Sequence, residues 1–139
     1  FSQALLVTKP VVVHFSGHGL ATGELCLENQ AGAVKPVKPE ALADLFAQFS
    51  DHVKCVLLNT CYSRSQAIAI SQHIDYVIGM SHRINDKAAL ACSVGFYQAL
   101  GAGRSYEEAF RLGCAQIGME DISEKDAPIL MVKGKIKVT

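Results

Sequence analysis

Four short, nearly uninterrupted runs of apolar residues constrain this chain most: Val11–Phe15, Val53–Leu58, Tyr76–Met80 and Ile129–Val132. Each is rich in β-branched or aromatic side chains, and each has the length of a strand. A strand with one wet face would alternate polar and apolar residues, so these runs read as strands covered on both faces, as in a mostly parallel sheet. Pro10 precedes the first run and Pro128 opens the fourth, a place a strand tolerates.

Helical patterns fill the gaps. Glu40–Phe49 sets Leu42, Leu45, Phe46 and Phe49 on one stripe, with Pro39 at the first helical position, where its missing N–H has no partner to lose. Ser63–His73 carries Ile68 and Ile70 behind a serine cap. Asp86–Ala102 has Asp86 as N-cap, with Gly101 and Gly103 at its end, and Ser105–Gly118 opens with the S-x-x-E spacing of a capping box, Ser105 and Glu108. Glu24–Leu27 and Gly32–Val37 read as a hairpin turning at Asn29–Gly32, residues 119–127 as a polar loop, and Phe1–Thr8 as the end of a helix. Strand and helix in alternation predict an α/β fold built on a mostly parallel sheet. The 139 residues suit a single domain, 1–139, and the chain reads as the C-terminal part of a longer protein.

Composition narrows the function. Thirteen basic and thirteen acidic side chains cancel, which gives no electrostatic case for nucleic acid or an anionic membrane as partner. The longest apolar stretch, Ala88–Tyr97, suits a buried helix and is too short for a bilayer. Five cysteines in no metal-like pairing argue against a disulfide scaffold and for a reducing compartment. His14 and His18 lie on a strand and its loop, a spacing that does not align two metal ligands, so no metal and no cofactor are expected. His14 reads as a hydrogen-bonded residue supporting that loop. Cys26, Cys55, Cys92 and Cys114 read as core, and His52 and His73 as surface residues. The glycines from Gly17 to Gly23 imitate a dinucleotide loop, but Glu24–Leu27 after them alternates like a strand, where such a loop must open a helix.

In open α/β sheets chemistry gathers beyond the carboxyl ends of the strands. That rule selects Ser16-Gly17-His18-Gly19, Asn59-Thr60-Cys61-Tyr62-Ser63 and Ser81–Asp86. His18 stands between two glycines that leave its ring unobstructed. Cys61 stands where a strand turns toward a helix, and the orphan N–H groups of a helix start favour thiolate over thiol. A cysteine and a histidine on neighbouring strand ends are what Cys–His catalysis needs. The inert reading, a small buried hydrophobe beside an idle loop histidine, stands beside it. His82 and Arg83 lie on the third loop without an assigned role.

The motifs VVVHFSGHG, VLLNTCYS and YVIGMSHRINDKAAL, followed by VGFYQALGAGRSYEEAF, resemble the CHAT-domain family, caspase-like cysteine peptidases of clan CD. The separation of His18 from Cys61 lies near the caspase-type spacing of about 50 residues, although the caspase cysteine signature is absent. The resemblance implies a three-layer, caspase-haemoglobinase-like α/β sandwich lacking the family's first strand and helix. It implies an endopeptidase acting on protein or peptide substrates, attached to a tetratricopeptide-repeat or sensor region. Cys61 would attack the scissile carbonyl, His18 would transfer the proton, and the backbone N–H groups of Gly19 and Cys61 would hold the oxyanion. Relatives specific for basic residues carry Asp two positions before the cysteine. Here Asn59 stands there, with Asp86 as a second residue for the substrate pocket. A catalytically silent scaffold of the same fold is the alternative.

Overall fold

The structure, a computed structural model, describes residues 10–17, 19, 24–28, 34–120 and 122–138. In chain order the elements are β1 (Val12–Ser16), β2 (Leu25–Glu28), β3 (Val34–Val37), α1 (Pro39–Ala47), β4 (Cys55–Asn59), α2 (Arg64–Ile70), β5 (Tyr76–Met80), α3 (Asp86–Gly101) and α4 (Tyr106–Glu120). A 3-10 turn (Ile122–Glu124), β6 (Pro128–Val132) and β7 (Lys135–Val138) complete them. The helix end expected at Phe1–Thr8 and the turn expected at Asn29–Gly32 lie outside the described residues.

Five strands form the central sheet in the order β1-β4-β5-β6-β7. β1, β4 and β5 run parallel, while β6 and β7 are antiparallel to their neighbours, so the sheet is mixed. The expectation of a mostly parallel sheet holds for three of the five strands. One crossover helix carries the chain to the opposite end of the sheet, so the next strand runs parallel, as from β4 to β5. Between β5 and β6 there are two helices, α3 and α4, so the chain comes back to the end it left and Pro128 pairs with Met80. β2 and β3 form the expected antiparallel hairpin apart from this sheet.

Burial explains the uninterrupted apolar runs. All five β4 residues are buried. Val56 and Leu58 join Leu42 and Phe46 of α1 and Ala67 and Ile70 of α2 in one cluster. Cys55 and Leu57 join Phe96 of α3 and Phe110 of α4 in another. The result is three layers, helix pair, sheet, helix pair. α3 and α4 approach closely at Gly95, where a Cβ would lie 2.8 Å from the Leu112 carbonyl oxygen and 3.1 Å from the Gly113 Cα.

Several local expectations are corrected. The N-cap of α3 is Asn85, not Asp86: Asn85 has extended backbone angles and its Oδ1 accepts the Ala88 N–H at 2.8 Å. Asp86 is the first helical residue, where its charge faces the positive end of the helix dipole. Ser63 does precede α2 as cap residue, but its hydroxyl makes no capping bond. It donates toward Thr60 C=O (2.8 Å) and Leu58 C=O (3.2 Å) and accepts the Met80 N–H (2.8 Å), stitching the ends of β4 and β5 together. The polar loop expected over 119–127 holds the last turn of α4 and the 3-10 turn. The capping box at Ser105 and Glu108 forms as expected.

Candidate active site

β1 and β4 end together, with Ser16 opposite Asn59, so the segments after them leave the same edge of the sheet side by side. The segment after β5 joins them. Tyr62 N–H donates to His82 C=O at 3.3 Å, and Ile84 lies against Cys61. These segments, with the start of α3, enclose a cleft of about 400 Å³. It is lined by Gly17 and Gly19 after β1, by Asn59, Thr60 and Cys61 at the end of β4, and by Ile84, Asp86, Ala89, Leu90 and Ser93. His18 lies outside the described residues, between the two glycines that border the cleft.

Gly19 shows how tightly the first two segments meet. A Cβ there would collide with the Cys61 carbonyl oxygen and come within 3.2 Å of Thr60 Oγ1. Glycine is therefore required by close approach of the two backbones. An antiparallel bridge between Gly19 and the buried Leu25 ties this loop to the hairpin.

Cys61 is half-buried, against a small cluster containing Met80, Ile84 and Ala88. Its thiol donates to Ile84 C=O and its sulfur accepts Ile84 N–H, both at 3.3 Å. The next residue, Tyr62, has φ of 56°, in the left-handed region a non-glycine side chain rarely adopts. That strain bends the chain between β4 and α2 and leaves Cys61 at the turn rather than within the helix. Strained backbone of this kind concentrates at functional sites.

Asn59 is buried beneath the cleft. Its Nδ2 donates to Ala89 C=O and to Ser93 Oγ, each at 2.7 Å, which locks the side chain to α3. Asp86 borders the cleft and is exposed. His14 also lines the cleft, a role the sequence did not suggest. Its ring packs on Tyr97 with centroids 5.7 Å apart, and burial lowers its pKa below 6.5. Among the described residues it makes no hydrogen bond, contrary to expectation: it points to the α3 side with Val12 and meets an aromatic ring there.

Cys26, read as core, is only half-buried, and the other three cysteines are set apart by deeper desolvation. Burial pushes the thiols of Cys55 and Cys92 up to about 12 and that of Cys114 to about 11, so all three stay protonated and inert at neutral pH. His52 is not a plain surface residue. It is half-buried, and its Nδ1 lies 2.9 Å from Pro10 C=O, tying the start of β1 to the segment before β4. His73 and His82 are exposed. Among the described residues no group of three or more His, Cys, Asp or Glu side chains is placed to hold a metal ion. No described helix is long and apolar enough to cross a membrane.

No family model matches the chain. A Roc-COR-CHAT protease from an unknown prokaryotic organism is 26% identical over 98 residues, 66% of this chain and 9% of that protein. A probable protease of Gillisia limnaea is 29% identical over 105 residues, 74% of this chain and 19% of that protein. The chain thus spans less than a fifth of the length of each of these curated relatives. Both names support a protease-like function. Both likenesses are thus to proteins named as proteases, one of them a CHAT protease, at low identity over about 70% of the chain.

Proposed function

We propose that this chain is a cysteine endopeptidase domain of caspase-like fold that cleaves protein substrates through Cys61 and His18. The observation that carries the proposal is the cleft itself. Cys61 lines it, where its backbone meets Gly19 of the His18-bearing loop and its side chain packs in the cluster of Ala88 in the Asp86 helix. A peptide entering the cleft would present its carbonyl carbon to the Cys61 sulfur. Backbone N–H groups of Gly19 and Cys61 would receive the oxyanion, each such donor contributing about 3 kcal/mol to transition-state stabilisation in comparable sites. His18 would pass a proton to the leaving amine, and water would then release the acyl group from sulfur. Asn59 and Asp86 would form the pocket for the substrate side chain. No cofactor enters this scheme.

The name of one relative joins a CHAT protease to Roc and COR segments. By that likeness the domain would belong to a larger protein, and we propose that the other parts of that protein gate it and that it works in the cytoplasm. A tetratricopeptide-repeat or sensor region could serve as the gate. The bond from the Cys61 thiol to Ile84 C=O favours a second reading, a resting or silent site, because it holds the sulfur against the chain rather than toward a substrate. The full-length protein decides between them. Cleavage of a protein substrate that is lost in both Cys61→Ala and His18→Ala supports the peptidase. Cleavage that persists in either variant, or its absence under every activating condition, supports the silent scaffold.

A further inference from the structure

Gln66 lies in the first turn of α2, the helix that follows Cys61, and is fully buried on the face it shares with Ala67 and Ile70. Burying an amide costs free energy unless it is hydrogen-bonded, so an apolar side chain is the default at such a position. Here the Gln66 Nε2 donates to Val37 C=O at 2.9 Å. A carbonyl oxygen only accepts, so the atom facing it is the donor end of the amide. Val37 belongs to β3 and pairs with Leu25 of β2. Leu25 is itself wholly buried, in the cluster that holds Ala67 and Ile70, and it bridges to Gly19. The hairpin stands apart from the five-stranded sheet, so ladder bonds to that sheet do not place it. Its anchors are side chains, and the Gln66 bond is directional where the packing of Leu25 is not.

We infer that Gln66 is a positioning residue for peptide cleavage: acting through Val37 and Leu25, it holds Gly19 against the Cys61 backbone so that the Gly19 N–H meets the developing oxyanion. The inference rests on the peptidase reading and deepens it. Gly19 is gripped from two directions. On one, the Cys61 carbonyl oxygen leaves no room for a Cβ, so the loop cannot move further in. On the other, the bridge to Leu25 opposes its retreat. The same short helix therefore serves both partners of the reaction. Its start follows the turn that carries Cys61, and its buried amide holds the hairpin to which Gly19 is tied. An oxyanion donor acts in the transition state and not on the bound substrate, so displacing it lowers kcat and leaves KM in place.

The test uses the full-length protein, a fluorogenic peptide that it cleaves, and Gln66→Met, which approximates the shape of the side chain and removes the donor. kcat should fall about 10- to 100-fold, up to the loss of one whole oxyanion donor. KM should stay within about twofold. Amide exchange across β2, Leu25–Glu28, read by mass spectrometry, should quicken at least about tenfold while β4 keeps its protection. If Gln66→Met does not fold, Leu25→Val, which thins the other anchor, should give the same split between kcat and KM and the same faster exchange. A parental kcat in a variant of a protein that does cleave overturns the inference and leaves the peptidase standing. A raised KM with kcat unchanged does the same, since that is the mark of a substrate-binding role. Unchanged exchange across β2 overturns the brace whatever the activity. No cleavage by the unmodified protein under any activating condition overturns the peptidase, and with it the role of Gln66 in turnover.

Discussion

Replacing Gly19 by alanine perturbs the contact on which the cleft depends. The new methyl group would overlap the Cys61 carbonyl oxygen and lie 3.1 Å from its carbonyl carbon and 3.2 Å from Thr60 Oγ1. Two of these neighbours are backbone atoms and cannot rotate away, so one loop must retreat by roughly 1 Å or more to restore ordinary contact. Overpacking of this kind costs about 1–3 kcal/mol. A 1 Å displacement of a catalytic group lowers turnover about 100-fold. Gly101→Ala is the control, since a Cβ there meets nothing within 4 Å and its φ is not in the left-handed region. Reduced unfolded-state entropy should leave that variant neutral or about 0.4–1 kcal/mol more stable. Thermal unfolding gives the stability difference, and mass-resolved alkylation gives the rate at Cys61. If Gly19→Ala melts with the parent and its Cys61 reacts at the parental rate, the two loops do not meet as described.

Three further outcomes follow from local chemistry. Ser63→Ala leaves the buried Met80 N–H without its acceptor and should cost about 1–3 kcal/mol in denaturant unfolding. Asn85→Ala should cost about 1 kcal/mol through the lost cap, whereas Asp86→Ala, at an exposed first-turn position, should cost less than half as much. Because burial lowers the pKa of His14, its folded state favours the neutral ring. The unfolded chain takes up the proton first as pH falls through 6.5, so stability declines below that pH and is fully present above it. In His14→Phe that part of the decline should vanish from melting curves measured across the range.

Strands with both faces covered were legible because their apolar character is continuous, and β5 was read from Tyr76 to Met80 without error. β7 was not, since Lys135, Ile136, Lys137 and Val138 alternate at a sheet edge and look like a charged tail. A signal existed in the dipeptide Lys133-Gly134, since a two-residue hairpin loop favours glycine, and both residues take the positive φ of such a loop, 50° and 86°. Adjacent Asn85 and Asp86 can both cap a helix, and only the backbone angles decide between them. The strand-end rule led to the segments that border the cleft. The Asn59–Ser93 bond and the His14–Tyr97 contact join residues far apart in sequence and are visible only once α3 packs on the sheet.

The most direct measurement attaches a peptidyl acyloxymethyl ketone, which alkylates a thiolate held beside a proton donor, to the full-length protein and locates the adduct by mass spectrometry. Modification confined to Cys61, and slowed at least about 100-fold in His18→Ala, is the predicted result. Equal labelling of Cys26 and Cys61, or labelling of Cys61 indifferent to the loss of His18, would contradict the account.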